Sequence, residues 1–230
     1  MKKELDIAQF VLFKDLPEST VKQMRSLMTE KSVAADQILF NQDEEGAESF
    51  LVVKGAVRIE RLNKNGGRIL LNILGPGEIF GEMSLITDSP RTAQATTHMN
   101  STLLILKKSD FAQFLSLDPN MSERIMRVLS SRLGRTAYQL EETSLISLRS
   151  RLAGVLVDLI KRFGVQQGSE IILSIKVTQS DLGELVFSSR EHVNKIIKSL
   201  EQDEIIKFNK GQIIAINLSE LEKVHKNTSV

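Results

Sequence analysis

Cysteine is absent from all 230 residues. That excludes disulfides, thiolate ligation of an iron–sulfur cluster and a cysteine nucleophile, and it fits a reducing compartment. Histidine is scarce: His98, His192 and His225 are the whole set, too scattered for metal-ligand spacing. No apolar run reaches the roughly 18 residues of a membrane-spanning helix. The opening MKKELDIAQF also lacks the apolar centre of a signal peptide. A soluble, cytoplasmic protein with no membrane partner and no metal site is therefore expected. Excess charge is missing too, since 30 Lys and Arg against 29 Asp and Glu leave a net +1. Any contact with nucleic acid must then come from a local patch. With no Cys, no His–carboxylate constellation and no metal spacing, the expected role is not that of an enzyme.

The chain is long enough for two modest domains, each with its own core. Residues 5 to 30 carry a helical apolar rhythm (Phe10, Phe13, Leu16, Val21, Met24, Leu27, Met28), interrupted by Pro17 and restarted from Ser19 or Thr20. From Ile38 to Leu106 the pattern changes to short β-branched runs punctuated by glycine. Lys64-Asn65-Gly66-Gly67 stands between two of them as a hairpin signal. Many short strands at this spacing argue for a small antiparallel barrel or jelly roll. After Ser109 the rhythm is helical again. Leu129, Leu133, Thr136, Leu140 and Thr143 step by four, three, four and three, the spacing of two helices packed side by side or of one helix packed on its own domain.

Beyond Ser147, RSRLAGVLVDLIKRFG predicts a helix closed by Gly164, followed by a Gly-containing loop and a β-rich IILSIK. Next, Thr178 can cap a helix through Val186, and Ser188 or Ser189 can cap a second helix to about Asp203. Leu182, Leu185, Val193, Ile196, Ile197 and Leu200 supply their inward faces. This is helix-turn-helix spacing, and the hairpin IIKFNKGQIIAI would be its wing.

Two constellations carry chemistry. The stretch GEIFGEMSLITDSPRTA, residues 77 to 93, gathers Gly77, Gly81, Glu82, Ser84, Arg91 and Thr92. Glycine lets backbone N–H groups approach a ligand, and arginine offers a fixed fork of donors suited to phosphate. The stretch reads as an anion cradle or, more plainly, as a Gly-rich turn with a Glu82–Arg91 ion pair. In the second constellation Arg190, Glu191 and Lys195 share the exposed N-terminal face of a helix opened by Ser189. Side chains placed there reach base edges in a major groove. Otherwise they form an ordinary solvated face.

A β-roll, a long helix and a C-terminal winged helix-turn-helix together resemble the cyclic-AMP receptor/Fnr superfamily of bacterial transcription regulators over essentially the whole chain. Gly81-Glu82-Met83-Ser84-Leu85 with Pro90-Arg91-Thr92-Ala93 is similar to the phosphate-binding cassette of cyclic-nucleotide domains. The resemblance implies an α+β fold: a cyclic-nucleotide-binding β-roll (jelly roll) over 1–118, a dimerisation helix over 119–147 and a winged helix-turn-helix over 148–230. It implies Arg91 on the cyclic phosphate and Glu82 on the ribose 2′-hydroxyl, with Glu82 also orienting Arg91 or Arg132. Backbone N–H groups of Gly81, Met83 and Ser84 and the Thr92 hydroxyl complete the cradle, and Thr136 meets the base. The serine that follows this threonine in the family is Ala137 here, which weakens base identity more than phosphate recognition.

The effector so implied is cyclic AMP ahead of cyclic GMP, an allosteric ligand rather than a cofactor. Cyclic di-GMP or another metabolite is the alternative. The implied partners are a second copy in a homodimer, double-stranded DNA with inverted-repeat half-sites, and RNA polymerase. Ser189, Arg190, Glu191 and Lys195 would meet DNA, with His192 and Lys198 on phosphates. Lys195 stands where the family usually has arginine, and lysine lacks the bidentate fork. Phe187 stands where the family often has glycine. If that residue is left-handed, a side chain costs roughly 1–2 kcal/mol, unless the turn differs or ring burial offsets it. Without Cys, the thiolate-held cluster of the oxygen-sensing branch is excluded.

Overall fold

The computed structural model describes residues 7–62 and 67–226, with only the backbone of residues 135 and 137–145. The chain divides into two compact units, Met1–Arg132 and Leu133–Val230.

In the first unit the early helical rhythm resolves into two different structures. Residues 7 to 16 form successive tight turns, in which Phe10, Phe13 and Leu16 donate their N–H groups to Ile7, Phe10 and Phe13 carbonyls at 2.9–3.2 Å. Helix α1 (Glu18–Ser26) starts only after Pro17, which is its N-cap. Proline disfavours α geometry in the residue before it, so the apolar residues upstream are buried from turns instead. Met28, placed by the rhythm at the end of a helix, opens strand β1 (Met28–Val33).

Seven further strands follow: β2 (Ile38–Phe40), β3 (Glu48–Lys54), β4 (Val57–Leu62), β5 (Arg68–Leu74), β6 (Ile79–Phe80), β7 (Gln94–Thr97) and β8 (Ser101–Lys107). They form two antiparallel four-stranded sheets, in the orders β1-β8-β3-β6 and β2-β7-β4-β5. Leu62 pairs with Arg68 across the expected hairpin; residues 63 to 66 themselves lie outside the described residues. Phe50, Val52, Leu103 and Ile105 face Val57, Leu74 and Ala95 of the other sheet. Alternate residues of the same strands, Leu51, Leu104 and Leu106, pack with Phe10, Phe13 and Phe114. Burial on both faces is why FLVV, residues 50 to 53, and LLIL, residues 103 to 106, are continuous apolar runs. Helix α2 (Met83–Thr87) interrupts the glycine-rich stretch, α3 (Lys108–Ser116) follows β8, and α4 (Met121–Leu145) runs from the first unit into the second.

The second unit continues with α5 (Leu148–Phe163), whose N-cap Ser147 accepts the Ser150 N–H. Gly164 ends it with φ −74°, so no left-handed turn is needed there. The segment after it is a hairpin: β9 (Gly164–Gln167) stands where the sequence reads as a loop, and β10 (Glu170–Leu173) overlaps the start of the expected β-rich IILSIK. A Cβ at Gly164 would stand 2.7 Å from Ile171 Cγ2, so close packing explains the glycine. Then come α6 (Gln179–Leu185), α7 (Arg190–Gln202), β11 (Ile206–Asn209), β12 (Gln212–Ala215) and α8 (Leu218–Lys226). The sheet order is β11-β12-β10-β9. The β11–β12 hairpin turns through Lys210 and Gly211, both at positive φ (48° and 84°), which matches the twist of the strands. Among the described residues no helix is long and apolar enough to cross a membrane.

Candidate functional site

The cassette begins where β6 ends. Gly81 adopts φ +73°, and a Cβ there would stand 2.6 Å from Arg91 Nη1, so the arginine requires a glycine. The Arg91 backbone is fastened to the β2–β3 loop: its N–H donates to Glu44 O at 2.8 Å, and its carbonyl accepts from Asp43 N at 2.9 Å. Its guanidinium turns inward, and the residue is only 5 % exposed. Nη1 donates to Gly81 O and Nη2 to Glu48 O, both at 2.6 Å. Cζ lies 4.1 Å from the centre of the Phe40 ring, a cation–π contact. Phe50 and Phe80 stack at 5.0 Å, and Phe40 tilts against both. Nε of Arg91 is buried without a partner. Burial pulls the Arg91 pKa down, while the carboxylates of Glu48, Glu82 and Glu44 pull it up.

Glu82 is 3 % exposed. Burial lifts its pKa above the ordinary value, against the opposing fields of Arg132 and Arg91. Arg132, on α4, donates from Nη1 to Glu82 Oε1 at 3.0 Å and from Nη2 to Ile79 O at 2.6 Å. The ion pair of Glu82 is thus made with a helix 50 residues onward. The nearer cation of the cassette, Arg91, spends its terminal nitrogens on carbonyls. Ser84 is buried beside them. A Cβ at Gly46 would collide with Ser84 and stand 3.0 Å from Arg91 Cζ.

Of the residues expected at the effector site, Gly81, Glu82, Ser84, Arg91 and Arg132 converge. Met83 and Thr92 are exposed beside them. Thr136, on the part of α4 in the second unit, is exposed. Sequence reading missed Phe40, Gly46 and Glu48. NQDEEGA, residues 41 to 47, carries an ordinary turn signal, and nothing local ties it to an arginine 43 residues beyond Glu48.

The second constellation rests on well-formed helix ends. Thr178 Oγ1 accepts the Asp181 N–H at 3.1 Å, and Asp181 Oδ2 accepts the Thr178 N–H at 2.9 Å, a capping box. Helix α6 closes with Ser188 N–H donating to Gly183 O at 2.8 Å and Phe187 N–H donating to Glu184 O at 3.2 Å. That Schellman pattern sets its C′ residue, Phe187, at φ +53°. The turn is therefore left-handed, and Phe187 is 53 % exposed, so burial does not offset the roughly 1–2 kcal/mol of strain. Ser189 caps α7 by accepting the His192 N–H at 3.3 Å. Gln179 Nε2 donates to Asn194 Oδ1 at 2.9 Å, tying the two helices together. Val193, Ile197 and Leu200 are buried. Ser189, Arg190, Glu191, His192, Lys195 and Lys198 are exposed. The Glu191 carboxyl is held below its ordinary pKa by its own backbone N–H and by the Ser189 hydroxyl, and so is a ready acceptor.

Buried cationic and anionic groups in a β-roll, joined through one long helix to an exposed helix-turn-helix, define a DNA-binding regulator with a small-molecule sensor. Residues 30–118 match the family model of the cyclic nucleotide-binding domain, and residues 150–224 match that of the Crp-like helix-turn-helix domain. A "CRP-like cAMP-activated global transcriptional regulator" of Mycobacterium tuberculosis is 28 % identical over 214 residues, which is 93 % of this chain and 95 % of that protein. A solved Crp/Fnr-family transcriptional regulator of Thermus thermophilus aligns with a TM-score of 0.74 at 24 % identity, over 87 % of this chain and 100 % of the other. The c-di-GMP-responsive global regulator of Xanthomonas campestris has the same fold, with a TM-score of 0.70 at 21 % identity over 86 % and 99 % of the two chains. The chain belongs to the Crp/Fnr superfamily of transcription regulators.

Proposed function

We propose that this protein is a homodimeric, cytoplasmic transcription regulator, not an enzyme, whose affinity for DNA is set by a cyclic nucleotide, cyclic AMP ahead of cyclic GMP. The observation that carries the proposal is the burial of Arg91 and Glu82, opposite charges one cassette apart, each held by groups that fix its geometry. A buried guanidinium is costly to the fold by itself and becomes useful when an anion arrives. Arg91 would bond the exocyclic phosphate oxygens, helped by its unpartnered Nε and the N–H groups of Gly81, Met83 and Ser84. Glu82, aligned by Arg132, would accept the ribose 2′-hydroxyl. Thr92 would add a hydroxyl, and Thr136 would meet the base. Preference for cyclic AMP is supported by the name of the Mycobacterium tuberculosis relative.

At the other end Arg190 would read guanine, Glu191 would accept from the cytosine amino group, and Lys195 would follow less sharply. Ser189, His192 and Lys198 would hold phosphates. DNA bound this way would be presented to RNA polymerase. Isothermal titration with cyclic AMP, cyclic GMP and cyclic di-GMP tests the effector assignment. Arg91→Ala and Glu82→Ala should each weaken the bound cyclic mononucleotide by about 2 kcal/mol or more, because each leaves a ligand group unpaired. Wild-type affinity in both variants would end the assignment, and a response to cyclic di-GMP alone would replace the effector.

A further inference from the structure

We infer that the Phe187 ring is itself a DNA-contacting group, packing on a thymine methyl at the edge of the site that α7 reads. The inference rests on α7 being the DNA-reading helix. Phe187 lies in the turn between α6 and α7, two residues before Ser189, the cap of α7, and three before Arg190.

Two features of the residue work against the fold. Its backbone is left-handed at φ +53°, and this large apolar residue is exposed. Glycine would close the same Schellman pattern without strain. Among the described residues the other non-glycine positions at positive φ are Asp15, Asp36, Asp43, Asp88, Glu204 and Lys210, all charged. Phe187 alone among them is apolar, and an apolar ring gains from water exclusion only when something covers it. Continuity with the α7 surface identifies the cover as the duplex. The major groove presents one apolar group to proteins, the thymine 5-methyl, and phenylalanine is among the side chains that pack on it. Strain that the fold does not repay is expected at sites of function.

The test uses the full chain with cyclic AMP present and an operator selected by the wild type from random DNA. Phe187→Gly should melt at or above the wild-type temperature and bind the operator about fivefold more weakly. The slope of affinity against salt should not change, because the ring displaces no counterion. Replacing thymines one at a time by uracil should reveal one position where loss of the methyl costs the wild type roughly fourfold and costs Phe187→Gly nothing. Unchanged operator affinity in Phe187→Gly, or equal uracil sensitivity in both proteins, overturns the inference. So does a lowered melting temperature with uracil sensitivity retained, which would make the ring a structural group. Arg190→Ala separates the two levels. If it weakens binding while Phe187→Gly does not, only the Phe187 contact falls. If neither variant differs from the wild type, or if the wild type selects no motif, the α7 reading falls and the contact with it.

Discussion

At Glu82 binding and stability pull in opposite directions. The carboxylate is almost wholly buried, and burial raises its pKa in the fold above the unfolded value of 4.5 despite Arg132. A group with a raised folded pKa adds stability below its unfolded pKa and loses it as pH rises through the folded one. Ionised Glu82 therefore burdens the ligand-free protein at neutral pH. Glu82→Gln keeps the shape and cannot ionise, so it should melt a few degrees higher than the wild type at pH 7. The gap should narrow as the pH falls through the folded pKa and close below about 4.5, where both side chains are neutral. Thermal melts across that range decide the matter; a wild type more stable than Glu82→Gln at pH 7 would mean that the Arg132 pair outweighs burial. The same substitution should weaken nucleotide binding, as expected where a site is kept at the expense of stability. Arg91 and Glu82 were legible from residue type and spacing. The resemblance also named Arg132 as a partner of Glu82, whereas Glu48 was not legible, because it meets Arg91 only through the topology of the roll.

Among the elements, those with chemical punctuation could be read ahead of the structure. Thr178 with Asp181, Ser189, and the Lys210-Gly211 turn each mark an element end by a local bond, and α6, α7 and the wing begin or turn there. Elements without such marks were missed. In β1 only Met28 is buried outright, so MTEKSV shows no alternation, and its strand state comes from pairing with β8. The rhythm of residues 7 to 16 was real, since Ile7, Phe10, Leu12 and Phe13 are buried, but turns realise it in place of a helix. Glycines within helices show the same division between local and tertiary causes. Gly134 on α4 has open space where a methyl group would stand, so Gly134→Ala should stabilise by about 0.5–1 kcal/mol, the ordinary helix preference. At Gly183 on α6 a Cβ would stand 2.8 Å from the Ser188 carbonyl oxygen, a backbone atom in the turn. Gly183→Ala should therefore reverse the sign and destabilise by about 1–3 kcal/mol. Urea titration of the two variants checks the contrast, and equal signs would show that the turn yields easily.

For the whole molecule the open question is what covers α4. Leu129 packs on the core of the first unit, whereas Leu133, one turn on, is 71 % exposed. Leu140 and Thr143, further along the expected seam, have side chains outside the described residues. An exposed leucine in a heptad rhythm is the surface a second copy would cover. Leu133→Asp would place like charges against each other across a two-fold axis. Sedimentation should then change from dimer to monomer, while the circular dichroism spectrum stays that of the wild type. A two-fold dimer would carry two α7 helices, and a duplex reached by both must repeat its half-site about one helical turn away, roughly 34 Å or 10 to 11 base pairs. The wild type should select an inverted repeat of half-sites resembling TGTGA at that spacing. Inserting about 5 base pairs, half a turn, should abolish tight binding, because the second half-site then faces away. Leu133→Asp should bind an isolated half-site as the wild type does and lose roughly two orders of magnitude on the full repeat, since linkage of the two sites is what the dimer supplies. A variant that still sediments as a dimer would move the interface off Leu133, and a direct repeat among the selected sites would exclude the two-fold arrangement.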